Sequence, residues 1–366
     1  MRFAKLLLAR RRLLARWRLA AGLALGSLIA AGTSCEADRD QGLRVAVPGS
    51  HQPANFPAMV YGLEKNAPDA ATFELGRMLF YDARLSSDGT VSCGSCHQSF
   101  AAFAHAGHRL SHGVAGQLGA RNAPALQNLR WRQNFLADGG VLGLELQALA
   151  PLTDKVEMNL PLAEVLAKLN ADAAYRQRFT AIYGPGTIDT PQFLRALAQF
   201  TAALTSANSR YDHYVRHEAG GTLTSPELSG RALFQAKCAS CHATDLFTDE
   251  SFRNNGLDRT FPRDSGRAHI TARPADAGRF KVPSLRNVAR TAPYMHDGRF
   301  ATLEQVLAHY AHGVVPSRTL DPLLRQPSRQ LGIPLSAREQ ADLLAFLHTL
   351  TDNDFLTDRR LLPPNP

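Results

Sequence analysis

The chain has 366 residues, 45% hydrophobic and 20% charged, with 27 Gly and 21 Pro; this is a globular composition, long enough for two domains of ordinary size. The formal charge of +9 would suit a nucleic-acid partner, but seven basic residues (Arg2, Lys5, Arg10, Arg11, Arg12, Arg16 and Arg18) crowd the first 18 positions with no acid among them. The remainder carries only about +2, which excludes a strongly basic binding surface and with it a nucleic-acid partner.

The basic run leads into an apolar stretch over 19–31, then small residues and Cys35. A charged start, a short apolar segment and a small-residue exit predict a signal peptide over 1–34 and export to the periplasm. The stretch is short for a membrane span, and no second span follows. Gly32-Thr33-Ser34-Cys35 resembles a lipoprotein cleavage site, with Gly32 where an aliphatic residue is usual. Cys35 therefore either carries a lipid anchor to the membrane or leaves with the signal peptide.

Further along, Cys93-Gly94-Ser95-Cys96-His97 and Cys238-Ala239-Ser240-Cys241-His242 repeat one pattern 145 residues apart. C-x-x-C-H is the attachment signature of c-type haem. Two thiols add across the haem vinyl groups, and the adjacent histidine ligates the iron from below. A zinc site built from both cysteine pairs would leave His97 and His242 without a purpose, so two covalent haems are the expected cofactors.

The surroundings of the two motifs also repeat. Glu74-Leu75-Gly76-Arg77-Met78-Leu79-Phe80 precedes the first and Leu228-Ser229-Gly230-Arg231-Ala232-Leu233-Phe234 the second, each with apolar residues three and four apart, as in a short amphipathic helix. Longer helical patterns close each half at 193–204 and 337–350, the latter with Ser336 as N-cap. His217 to Ser225 reads as a linker, and strand patterns are sparse. The expected fold is mainly α: two cytochrome c-like domains over 44–217 and 218–366, each with one covalent haem and joined with long loops.

With these segments in view, the chain resembles the bacterial di-haem cytochrome c peroxidases and the related MauG-type enzymes. The resemblance rests on ELGRMLFYDARLS before the first haem, RNAPALQNL at 121–129, LQALAPLTDKVEM at 146–158, KVPSLRNVARTAPYMHDGRFATLEQVLAHY at 281–310, and the closing helix. It implies that the His97 haem meets hydrogen peroxide and that the His242 haem receives electrons from a small periplasmic cytochrome c or cupredoxin. The distal acid/base would then be Glu157 and its companion Gln147, ten residues earlier; without the resemblance Glu157 would read as a solvated loop carboxylate. A distal histidine that closes the first haem in some members falls on His112, with His105 and His108 as rivals. A calcium ion held by Asn122 and the carbonyls of Thr291 and Pro293 is also implied, against an ordinary turn-capping Asn, and homodimers are common in the family.

Two positions bear on the subfamily. Counting from Leu303-Glu304-Gln305 places Tyr310 where peroxidases supply a methionine to the second iron, which is the MauG pattern; His309, His312 and Met295 are the alternatives. The inter-haem tryptophan of the family, counted back from Gln147, falls on Ala137, and Trp131 is the only tryptophan left after signal removal. Three functions follow: a peroxidase, a MauG-like oxidant of a partner protein's side chains, or a di-haem electron carrier without catalysis.

Overall fold

The opening helix of the first half, Ala70–Tyr81, starts where Asp69 caps the amide of Thr72 at 2.7 Å. It turns Phe73, Leu75, Leu79 and Phe80 inward. The closing helix, Thr190–Ala203, begins with a reciprocal cap between Asp189 and Gln192 and a proline in its first turn. The two helices pack along their length. The second half repeats the pair as Ser225–Lys237 against Ala337–His348, the latter capped by Ser336 and Glu339 as its sequence predicts. The computed structural model describes residues 47–62 and 64–364; the signal-peptide segment and Cys35 lie outside them.

Each helix pair crosses at a glycine. A Cβ on Gly76 would collide with the Ala196 carbonyl oxygen, and one on Gly230 with that of Asp342. Aromatic triads sit beside the crossings. Phe80 and Phe103 pack on Phe200 in the first half, with Phe80–Phe200 centroids at 5.0 Å; Phe234 and Phe247 pack on Phe346 in the second, with Phe234–Phe346 at 5.3 Å. Gly230→Ala is expected to destabilise the protein by about 1–3 kcal/mol or more, because two backbones must separate to admit one methyl. Thermal melting of the variant checks this, and an unchanged midpoint would show that the crossing tolerates a side chain.

Strand structure among the described residues is limited to two short antiparallel pairs, Asn134–Phe135 with Val141–Leu142 and Phe252–Arg253 with Phe280–Lys281. Between the closing helix of the first half and the opening helix of the second, the chain is shorter of free linker than its composition suggests. Ser225 is already helical, because Thr224 and Glu227 form a reciprocal cap and Pro226 stands in the first turn.

The halves interlock. Tyr211 joins the second core, whereas Phe355, Leu356 and Leu361 return to the first. There the Leu361 carbonyl accepts from the Tyr81 hydroxyl at 2.7 Å. A buried polar seam links the cores: Arg286 forms a two-pronged pair with Asp212 at 2.7 and 2.8 Å, and the Asn287 amide donates to Gln127 and, at 2.9 Å, to Ser206. Asn128 and Asn287, both at positive φ, occupy matching places in the two halves. No helix among the described residues is long and apolar enough to cross a membrane.

Candidate active site

Cys93–Cys96 form a single helical turn that ends at His97. The His97 ring faces the Phe103 carbonyl through Nδ1 at 2.7 Å, so Nε2 is left for a metal. Burial holds its pKa down to about 4, which keeps the ring neutral, as ligation requires. His242 repeats the arrangement with the Phe247 carbonyl at 3.0 Å, and burial lowers its pKa as well. None of the four motif cysteines is spent in a disulfide. Burial raises their pKa values, to about 12 at Cys93 and about 11 at Cys238, so a neutral thioether suits these positions. Cys93 packs against the first core and Cys238 against the second. Among the described residues no three His, Cys, Asp or Glu side chains gather as a metal site. The donor sets therefore fit two separate c-type haems and not a shared zinc ion.

A cavity of about 610 Å³ opens above the first motif, a volume in the range of cofactor sites. Cys93, Cys96 and His97 line it together with Gln147, Glu157 and His112. These six residues come from three separate stretches of chain. The loop bearing His112 is clamped to the segment bearing Glu157: the Val114 amide donates to the Glu157 carbonyl at 2.8 Å, and Gly113 lies so close that a Cβ would strike the Val156 carbonyl. Glu157 is exposed as a residue and lines the cavity. Enclosure by the fold, and secondarily the Asp154 carboxylate, push its pKa above the ordinary glutamate value.

Of the three candidate loop histidines, only His112 reaches the cavity. His105 is buried with Nδ1 against the Ser111 hydroxyl at 2.8 Å, and His108 stacks on it at 4.1 Å while meeting the His112 ring edge-on at 5.7 Å. Asn122 also lines the cavity; its side-chain nitrogen donates to the carbonyls of His108 and Arg109 at 3.1 and 3.2 Å. The 291–293 segment meets the same loop, the Ala292 carbonyl accepting from the Gly107 amide at 3.3 Å. The second half closes one side of the cavity with Arg263, Asp264 and His269. Asp264 is anchored by Arg121 at 2.7 and 2.8 Å. This contribution leaves no signature in the spacing of the chain.

At the second motif, Tyr310 lies in a π-helical turn, His309–Gly313, a local widening that often marks functional positions. Burial is the main cause that pushes its pKa up to about 12; the Asn255 amide opposes this, and Cys241 and Cys238 are near enough to add to it. The His309 ring meets Tyr310 edge-on at 5.4 Å and has its Nε2 at 3.0 Å from the Asn255 carbonyl. Met295 Sδ accepts from the Asn255 amide at 3.4 Å. Trp131 is packed edge-on against Phe56 at 5.0 Å and donates to the Pro57 carbonyl at 2.8 Å, while Ala137 lines the first cavity.

Residues 70–220 match the family described as di-haem cytochrome c peroxidase. Methylamine utilization protein MauG of Methylophilus methylotrophus is 31% identical over 295 residues, covering 79% of this chain and 85% of that protein. This chain belongs to the di-haem cytochrome c peroxidase/MauG family. Cytochrome c551 peroxidase of Nitrosomonas europaea is 32% identical, with 80% and 83% covered. Among solved structures, a MauG-like protein associated with microbial copper homeostasis superposes with a TM-score of 0.77 at 36% identity, covering 86% of this chain and 98% of that one. The diheme peroxidase BthA from Burkholderia thailandensis gives 0.68 at 26%, with 87% and 98% covered. Membership in a di-haem family implies two c-type haems, which accounts for both C-x-x-C-H motifs.

Proposed function

We propose that the protein is an exported peroxidase that reduces hydrogen peroxide at the His97 site, with electrons from a small cytochrome c or cupredoxin entering through the His242 site. The observation that carries this reading is the shared cavity: a carboxyl of raised pKa and an amide, Glu157 and Gln147, face the same space as Cys93, Cys96 and His97. When bound, the haem supplies an iron that accepts peroxide and delivers electrons to it. Glu157 takes the proton of the incoming peroxide and returns it to the departing oxygen, and its raised pKa suits a group that must do both. Gln147 donates an amide hydrogen to the oxygen on which charge develops. His112 stands where it can close the cavity, and Asn122 with the Thr291 and Pro293 carbonyls provides neutral oxygen donors for a calcium ion. The Asn122 nitrogen is already engaged, which leaves its oxygen for the cation.

The first test is spectroscopic. Magnetic resonance and optical spectra of the oxidised holoprotein are expected to show one high-spin haem and one low-spin haem without a methionine–iron band, and a rapid change on adding peroxide. Two low-spin haems that ignore peroxide even after one-electron reduction would remove the enzyme reading and leave an electron carrier.

A second reading, oxidation of a partner protein's side chains, is favoured by a tyrosine, Tyr310, at the position where peroxidases supply a methionine to the second iron. A tyrosine oxygen favours the ferric state where a methionine thioether favours the ferrous. Tyr310→Met should therefore raise the potential of that haem by on the order of 0.1 V, within the ~0.8 V span that axial ligands command. Redox titration followed optically checks it, and an unmoved potential would exclude Tyr310 as a ligand. Rapid turnover with a reduced small cytochrome would decide for the peroxidase.

A further inference from the structure

Ala137 stands where relatives of this chain are expected to carry an aromatic relay, and an alanine methyl offers no π-system. The structure places another one beside it. Phe280 and His296 stack face to face, with centroids 3.8 Å apart and planes 12° from parallel. Resting on the di-haem reading, we infer that this stacked pair is the electron bridge between the two haem sites.

The pair is tied to the wall of the first cavity at three points. The Lys281 amide donates to the Ala137 carbonyl at 2.8 Å, the Asn122 amide donates to the His296 carbonyl at 2.8 Å, and the Arg121 guanidinium lies 5.5 Å from the Phe280 ring centre. Ala137, Asn122 and Arg121 all line that cavity. The same two segments run on to the second site. Next to His296, the Met295 sulfur accepts from the Asn255 amide at 3.4 Å, and the Asn255 backbone carbonyl meets the ring of His309, the neighbour of Tyr310, at 3.0 Å. Two residues beyond Phe280, the Val282 carbonyl accepts from the Thr248 hydroxyl at 2.6 Å, and the next residue after Thr248, Asp249, donates its amide to the Cys241 carbonyl at 2.9 Å. Both rings thus sit on short paths of chain and hydrogen bonds that begin at groups lining the first cavity and run to the neighbour of Tyr310 and to Cys241 of the second motif.

Neither a phenyl nor an imidazole ring is easily oxidised, so the pair carries charge by coupling and does not hold it. In the net step one electron leaves the ferrous iron at His242, which becomes ferric. It enters the ferric iron at His97, which becomes ferrous, and both rings are unchanged. The initial electron comes from an added one-electron reductant.

The experiment uses full-length holoprotein with both haems counted. A photogenerated viologen radical injects one electron, and the inter-haem phase is followed at the absorption bands of the two haems. His296→Leu and Phe280→Leu should each slow that phase about tenfold, a loss large enough to read as a specific contribution. His296→Phe and Phe280→Tyr, which keep a stacked ring, should hold the wild-type rate; a merely structural role would not sort the variants by aromaticity. If His296→Leu loses a haem, Phe280→Leu alone decides. Leu variants with two haems and an unchanged rate would overturn the bridge and leave the di-haem reading intact. Wild-type protein with one haem, or with no inter-haem phase, would end both.

Discussion

Glu157→Gln is expected to lower the rate of peroxide consumption by about 10²–10⁴-fold, the usual contribution of a positioned acid/base, while both haem spectra stay as in the parent. The substitution keeps size and shape, and the side chain faces a cavity and not a packed core, so folding should not change. What disappears is the capacity to take a proton. The pH dependence follows from the sign of the shift. A base with a raised pKa is lost as pH falls through that raised value, so the parent's rate should decline on the acid side earlier than an ordinary glutamate would allow. In the variant that acid limb should vanish. Stopped-flow mixing with peroxide across pH 4–8, a window spanning the ordinary glutamate pKa of about 4.3 and values above it, measures both effects. A Gln variant as fast as the parent would leave Glu157 a wall residue and move the proton transfer to another group.

The parts of this molecule governed by short-range chemistry were legible in the chain. Attachment motifs, amphipathic opening helices and the Ser336 cap depend on residues within a turn or two of one another, and each appears where its spacing places it. What could not be read depends on contacts that spacing does not encode. His105, His108 and His112 share one loop, and the one that lines the cavity, His112, adjoins the clamp between Gly113–Val114 and Val156–Glu157. His309 and Tyr310 are neighbours in sequence and their rings meet edge-on at 5.4 Å, yet only the His309 ring is engaged by the Asn255 carbonyl, a long-range contact. The repeat is also blurred by a one-residue difference. Phe103 follows its histidine by six residues and Phe247 by five, yet both carbonyls hold the ring in the same way. The return of Phe355 and Leu356 to the first core is carried by too few apolar residues to announce its destination.

The seam between the cores should be the most sensitive structural point. Asp212→Ala is expected to cost about 3–5 kcal/mol, the range for breaking a buried ion pair from one side. Asp212 and Arg286 are both fully enclosed, and the carboxylate also accepts from Ser209 at 2.7 Å and Asn55 at 2.9 Å. Removing it leaves a guanidinium with no counter-charge, pressed on the Phe56 ring at 4.3 Å. The pH signature is distinct from the mutational cost. Burial alone would raise the Asp212 pKa, but Arg286, Ser209 and Asn55 outweigh it and hold the carboxyl down at about 2. A depressed carboxyl contributes stability that is fully present above its unfolded value, near 3.8, and is lost as pH falls through its folded one. The contribution is about 2 kcal/mol. It is smaller than the cost of the substitution because protonation leaves the hydrogen-bonding oxygens in place, whereas alanine removes them. Denaturant titrations of parent and variant at pH 7 and at pH 2 separate the two effects. The variant should unfold at lower denaturant at neutral pH, and the gap should narrow at pH 2. A gap that stays the same width would mean that the seam is held by its neutral hydrogen bonds, with the charge on Asp212 contributing nothing.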